Sequence, residues 1–143
     1  MQAKDIMTSR VIKVRHDAAI SEAISLMRQH HIGFLPLVRD GWISGVVTDR
    51  DILVRGMTHA TLDTFARVSA VATQPVQFVD PETPLAELAA TMVRHKLRRL
   101  PVCDALGYIV GVISLTDLAR HGARDALTQV YAAMTENTAP ATA

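Results

Sequence analysis

Apolar positions recur along the chain in two periods, and the periods alternate in a fixed order. The β-branched run Val11–Val14 predicts a short strand, and Val76–Val79 predicts another. Helical spacing follows each run. Ile20, Ala23, Ile24 and Met27 fall on one face, as do Leu85, Leu88, Ala89 and Met92. Ahead of the second helix, Thr83 predicts a cap and Pro84 a first helical residue. Two apolar runs around a glycine-containing turn then predict a hairpin: Phe34–Val38 with Trp42–Val47, and Leu100–Cys103 with Tyr108–Ile113. A short helix closes each set, near Arg50–Arg55 and near Leu115–His121. The predicted order is β-α-β-β-α, twice. Ala123, Ala126, Leu127, Val130 and Met134 carry helical spacing onward and predict an extension of the last helix.

The repetition extends to the residues themselves. Thr8, Val11 and Val14 return as Thr73, Val76 and Val79, and Met27 and His30 as Met92 and His95. Leu35-Pro36-Leu37-Val38 returns as Leu100-Pro101-Val102-Cys103, and Gly45-Val46-Val47-Thr48 as Gly111-Val112-Ile113-Ser114. Asp51 returns as Asp117 and Gly56 as Gly122, at an offset of about 65 residues with one residue inserted near Leu106. A three-stranded unit of this size leaves one sheet face and one helix stripe wet, so two copies should cover each other. The expected fold is α/β (α+β), with two β-α-β-β-α repeats packed with pseudo-twofold symmetry. Residues 1–60 would hold the first repeat and the start of a connector (Met57 to Arg67), and residues 61–122 the second. Residues 123–143 would be a helical extension and a small, polar, disordered tail from Thr135.

Composition narrows the function. Of 143 residues, 49% are apolar and 20% charged, which is globular rather than disordered. Fifteen Lys and Arg against fourteen Asp and Glu give a net charge of +1, unlike a dedicated nucleic-acid binder. Neither a membrane span nor a signal peptide is evident, so the expected location is cytoplasmic. A lone cysteine, Cys103, cannot form an internal disulfide. It lies in a predicted buried strand with no evident base nearby, so a nucleophilic role is not expected. His30 and His31 are adjacent and diverge on a helix, His95 repeats His30, and no metal-ligand motif appears. No metal is therefore expected, nor a catalytic set. Trp42 and Tyr108 match beside the hairpin turns and read as surface packing residues. Pro36 and Pro101 read as shaping a strand end or edge.

Two motifs carry chemistry. Thr48-x-x-Asp51 and Ser114-x-x-Asp117 each end a predicted strand and open a helix. One reading is a reciprocal helix cap. The other uses the same geometry for a ligand: hydroxyl and free N–H groups for phosphate, and a carboxylate for ribose hydroxyls. Arg98 and Arg99 precede a strand, and a guanidinium fork suits phosphate. Alternation along the strand lets only one of them face a given cleft, and Arg99 is the choice. Gly33 and Phe34 stand at those positions in the first repeat, so two unequal sites are expected.

The succession Met7-Thr8…Val11, Leu35-Pro36-Leu37-Val38 and Gly45-Val46-Val47-Thr48-Asp49-Arg50-Asp51 resembles a CBS domain, the cystathionine-β-synthase-type domain. So does Arg98-Arg99-Leu100-Pro101-Val102 with Gly111-Val112-Ile113-Ser114-Leu115-Thr116-Asp117. Ala72 departs from it, standing where the first repeat has Met7. The resemblance covers roughly residues 3–122 and implies a standalone tandem pair, or Bateman module. Such pairs bind adenosine-containing nucleotides in clefts between the repeats and regulate an enzyme, channel or transporter. It implies ligand contacts from Thr8, Val11, Thr48, Asp51, Thr73, Val76, Arg99, Ser114 and Asp117, with backbone near Val11 and Val76 meeting the adenine edge. It further implies a homodimer acting on an effector protein in trans. The leading expectation is thus a non-catalytic sensor of AMP, ADP or ATP, with no cofactor. The alternatives are an S-adenosylmethionine sensor and a ligand-independent dimerisation or docking module.

Overall fold

The computed structural model describes residues 1–58 and 61–136; the predicted tail from residue 137 onward lies outside the described residues. The fold is mixed α+β. The described elements run α1 (Ala3–Ile6), β1 (Val14–Arg15), α2 (Ile20–His30), β2 (Phe34–Arg39), β3 (Trp42–Thr48), α3 (Asp49–Gly56), β4 (Met57–Thr58) and β5 (Thr61–Leu62). A 3₁₀ turn (Val68–Ala70) precedes α4 (Leu85–His95), β6 (Arg99–Cys103), β7 (Ile109–Ser114), α5 (Leu115–Arg120) and α6 (Arg124–Thr135).

Chain contacts divide the molecule into two compact units, one of Ile12–Val76 and one of Met1–Val11 with Gln77–Ala143. These units are set by contacts and do not coincide with the sequence repeats, and the physical reason lies in the segment ahead of each first strand. Residues 1–8 are fixed to the second repeat: Ala3 N donates to Thr83 O, Lys4 N to Pro81 O and Leu85 N to Met1 O. Ala3 and Ile6 are buried in that unit's core with Leu88, Met92, Leu100, Ile113 and Leu118. The corresponding segment of the second repeat is fixed to the first. Val68 N donates to Ala18 O, Ser69 N to His16 O and Ile20 N to Ala66 O. Val68 and Val71 join the core of Ile20, Leu35, Leu37, Val47 and Ile52. Each unit therefore takes its leading segment from the other repeat.

In Ile12–Val76 the sheet order is β1-β2-β3, with β1 parallel to β2 and β2 antiparallel to β3. Asp40 and Gly41, both at positive φ, make the two-residue turn between β2 and β3. In the other unit β6 pairs antiparallel with β7, and Val79 alone makes a parallel bridge to Val102. Both hairpins change register at the same place, between Leu37 and Val38 and between Val102 and Cys103. The predicted first strands are thus shorter than their β-branched runs. Of the two runs, the first pairs only at Val14, which opens β1, and the second only at Val79, through a single bridge.

Pro36 and Pro101 lie inside β2 and β6, not at strand ends. They face Val46 and Val112, whose own N–H and C=O bond to Thr73 and Thr8 instead. The prolines therefore fall at pairs without mutual hydrogen bonds, where a missing N–H costs the hairpin nothing. Helix α4 starts at Leu85 with Pro84 in the cap position, and the Thr83 hydroxyl accepts from Asp80 N rather than capping it. Helix α6 does not extend α5. Gly122 takes φ +70, a left-handed conformation that ends α5, and Ala126, Val130 and Ala133 of α6 are buried. His30 and His95 are the last residues of α2 and α4, and Trp42 and Tyr108 are exposed.

Candidate functional site

Each Thr/Ser-x-x-Asp motif sits where a hairpin strand becomes a helix. Both form reciprocal caps. Asp51 N donates to Thr48 Oγ1 at 3.1 Å while Thr48 N donates to Asp51 Oδ2 at 3.0 Å. Asp117 N donates to Ser114 Oγ at 3.3 Å while Ser114 N donates to Asp117 Oδ2 at 2.8 Å. The capping reading of these residues is therefore real, and it fixes hydroxyl and carboxylate side by side at the turn.

The threonine segments complete the two turns crosswise. Thr8 exchanges backbone hydrogen bonds with Val112 on β7, at 2.9 and 3.0 Å. Its hydroxyl donates to Asp117 Oδ1 at 3.0 Å, across 109 positions of sequence. Thr73 exchanges backbone bonds with Val46 on β3, at 2.8 and 3.2 Å. Of the sequence-selected residues, Thr8, Arg99, Ser114 and Asp117 thus gather in one unit, and Thr48, Asp51 and Thr73 in the other. Val11 and Val76 are half-buried, three residues beyond their threonines and outside any strand. Thr8 lies with the Ser114 and Asp117 of the second repeat and not with the Thr48 and Asp51 of its own.

The two turns are chemically unequal. Arg99 pairs with Ser114 in register and is exposed; the same register position opposite Thr48 is Phe34. The Asp117 side chain is 6% exposed and also accepts from the Ser114 hydroxyl at 2.9 Å. Arg120 lies 3.8 Å from its Oδ1. The Asp51 side chain is 18% exposed and faces Arg55 Nε at 3.9 Å. Arg55 also donates from one guanidinium nitrogen to Val71 O, Ala72 O and Thr73 Oγ1, each at 3.3 Å. It ties the threonine segment to α3. At the matching position His121 Nδ1 lies 2.9 Å from Asp117 O. Sequence reasoning missed Arg55, Arg120 and His121, although the three- and four-residue spacing from each aspartate signals a shared helix face.

Cys103 is fully buried, and burial pushes its thiol up to about 11, so it stays protonated and unreactive near neutrality. No three His, Cys, Asp or Glu residues gather as metal ligands among the described residues. No helix of these residues is long and apolar enough to cross a membrane.

Comparison with known proteins gives this arrangement a family. The chain is 39% identical over 116 residues to the CBS domain-containing protein YhcV of Bacillus subtilis, covering 81% of each chain. It is 32% identical over 133 residues to hypoxic response protein 1 of Mycobacterium tuberculosis, covering 92% of each. A crystal structure of hypoxic response protein I with two coordinated zinc ions superposes with a TM-score of 0.76, over 85% of this chain and 98% of that one. A crystal structure of CBSX2 in complex with AMP superposes with a TM-score of 0.72 at 26% identity, over 87% of this chain and 97% of that one. The CBS domain profile matches residues 3–57 and again 68–124, so both repeats are accounted for, and the chain belongs to the CBS-domain family.

Proposed function

We propose that this chain is a non-catalytic regulatory module that binds adenosine-containing nucleotides of the AMP, ADP or ATP kind at its two strand-to-helix turns. One observation carries the reading: a threonine segment is bonded to the turn that holds a hydroxyl and a carboxylate, in each unit, through paired backbone hydrogen bonds. A fixed carboxylate accepts from ribose hydroxyls. Asp117 Oδ1 receives one hydrogen bond, from Thr8, which leaves this oxygen acceptor capacity. Thr8, Ser114 and Asp117 with Arg99 form the turn suited to a phosphate-bearing ligand, since a guanidinium recognises phosphate through a fork of donors. Thr48, Asp51 and Thr73 form the second turn, with different affinity because Phe34 replaces the arginine. Val11 and Val76 flank the base. The AMP complex of CBSX2 supports an adenosine nucleotide as the ligand class.

Signalling in this reading is a population shift. Bound nucleotide favours one conformation or oligomeric state, which an effector protein reads, and no bond is made or broken. The module acts in the cytoplasm as a homodimer. Calorimetry of the full chain with AMP, ADP, ATP and S-adenosylmethionine tests it. Saturable binding by at least one is expected, weakened by about 1–3 kcal/mol in Asp117→Asn, the range for a buried polar partner lost. Folded protein that binds none of them at millimolar concentration overturns the proposal. A second reading, a ligand-independent dimerisation or docking module, draws on Gly33 and Phe34 standing where Arg98 and Arg99 stand in the other repeat. Sedimentation that gives the same assembly with and without nucleotide favours that one.

A further inference from the structure

The two turns use their hydroxyl hydrogens differently. At the second turn both are committed to the carboxylate: Thr8 Oγ1 donates to Asp117 Oδ1 at 3.0 Å, and Ser114 Oγ to Oδ2 at 2.9 Å. A hydroxyl has one hydrogen, so these two residues offer a ligand only lone pairs. At the first turn Thr48 Oγ1 accepts from Asp51 N, and Thr73 Oγ1 accepts from Arg55 Nη1. Neither hydroxyl donates to a group among the described residues, so both keep a hydrogen for a ligand.

Arg55 makes the difference. It follows Asp51 by one helical turn, with Nε 3.9 Å from Asp51 Oδ1, while Nη1 reaches Val71 O, Ala72 O and Thr73 Oγ1. The guanidinium thus stands between the aspartate and the threonine. A hydroxyl that accepts from a cation turns its own hydrogen away from it, so Thr73 cannot copy the bond that Thr8 makes to Asp117. In the second repeat the matching residue is His121, which lies against its own helix, with Nδ1 2.9 Å from Asp117 O. It leaves Thr8 to the carboxylate. The Arg55 side chain is 49% exposed, and its Nη2 donates to no described residue.

We propose that Arg55 is a positioning and specificity residue that makes the Thr48–Asp51 turn a site for an oxyanion, the phosphate of a bound nucleotide. The phosphate accepts from the Thr48 and Thr73 hydroxyls and from the remaining guanidinium N–H groups. This rests on the nucleotide reading given above. Arg55 brings the positive charge that Phe34, opposite Thr48, does not. It also offsets the Asp51 carboxylate, which lowers the repulsion an incoming anion meets. Asp49, the other carboxylate at this turn, is held aside: Oδ1 accepts from Arg50 N at 2.8 Å, and Oδ2 fills the space a Cβ at Gly33 would need. The two turns therefore differ in the polarity of the hydrogen bonds their hydroxyls offer, acceptors at Asp117 and donors at Asp51.

The test uses the full chain with threonine methyls labelled for NMR, and adenosine, AMP, ATP and inorganic phosphate as probes. Thr48 and Thr73 report the first turn, and Thr8 the second. AMP is expected to shift Thr73 at lower concentration than adenosine does. Arg55→Gln should weaken that AMP response about tenfold or more, as for a charge-assisted hydrogen bond lost, and leave the adenosine response within about twofold. Arg55→Lys, which keeps a charged donor, should recover part of the loss. Thr73→Val, read at Thr48, should also weaken AMP and spare adenosine. Equal losses for AMP and adenosine make Arg55 a structural tie only and overturn the proposal. So does an AMP response confined to Thr8, or inorganic phosphate that matches AMP at Thr73. Adenosine, AMP and ATP that move none of the three methyls overturn the nucleotide reading as well.

Discussion

Asp117→Ala and Asp51→Ala should destabilise the protein unequally, although the two aspartates occupy the same motif. Asp117 accepts from Ser114 N at 2.8 Å, Ser114 Oγ at 2.9 Å and Thr8 Oγ1 at 3.0 Å, with its side chain 6% exposed. A hydrogen bond to a charged group contributes about 1.5–3 kcal/mol, and loss of a cap costs about 1 kcal/mol. Ser114 and the exposed Thr8 recover part of this from water, so the expected cost is about 2–4 kcal/mol. Asp51 accepts from Thr48 N at 3.0 Å, meets Arg55 only at 3.9 Å, and has an 18% exposed side chain. Its removal should cost about 1 kcal/mol, the value of the cap alone. Urea unfolding followed by circular dichroism measures both. Thr8→Val removes only the hydroxyl, and a double-mutant cycle with Asp117→Ala should return a coupling of about 1 kcal/mol. Equal costs for the two aspartates, or additivity of Thr8→Val and Asp117→Ala within about 0.3 kcal/mol, would refute the crosswise placement of Thr8.

Gly111→Ala should cost about 1–3 kcal/mol as an overpacked site, because a Cβ there meets Met7 Sδ and comes 2.8 Å from its Cγ and 3.0 Å from its Cβ. The push falls on the residue beside Thr8, so thermal unfolding and nucleotide calorimetry should both respond; a neutral effect on stability would contradict the packing described. Leu88→Ala should cost about 2–5 kcal/mol in chemical denaturation, as a fully buried core truncation. Leu53→Ala should stay within about 0.5 kcal/mol, as a surface change. Cys103 should resist a thiol reagent in the folded protein at pH 8 and react at once in urea. Burial raises its folded value from 9 to about 11, so the unfolded chain loses the proton first. The contribution of this thiol to stability is complete below pH 9 and is lost as pH rises through about 11. Stability measured at constant salt that rises across that window at the wild type relative to Cys103→Ser would contradict this.

Much of the fold was legible in order. Helices α2 and α4, both hairpins and both caps follow from spacing and turn residues that lie a few positions apart, because periodicity and capping are local. The failures are equally specific. Val11–Val14 and Val76–Val79 have strand composition, yet their backbone partners are set by distant chain. Pro36 and Pro101 read as edge residues because sequence shows a missing N–H and not which side of the strand it faces. Gly122 separates α5 from α6 by a left-handed turn that the apolar spacing runs straight through.

The duplication by itself determined that two Thr/Ser-x-x-Asp motifs exist, that each opens a helix, and that arginines precede the hairpin strand in one repeat only. Only tertiary structure decided which threonine serves which aspartate. Thr8 reaches Asp117, and Thr73 reaches the α3 turn through Arg55, because the buried side chains ahead of each threonine, Ala3 and Ile6 or Val68 and Val71, enter the core of the opposite repeat. The two leading segments are near copies, so their local patterns are alike; burial of a few apolar side chains selects the pairing, and that energy belongs to contacts far apart in sequence.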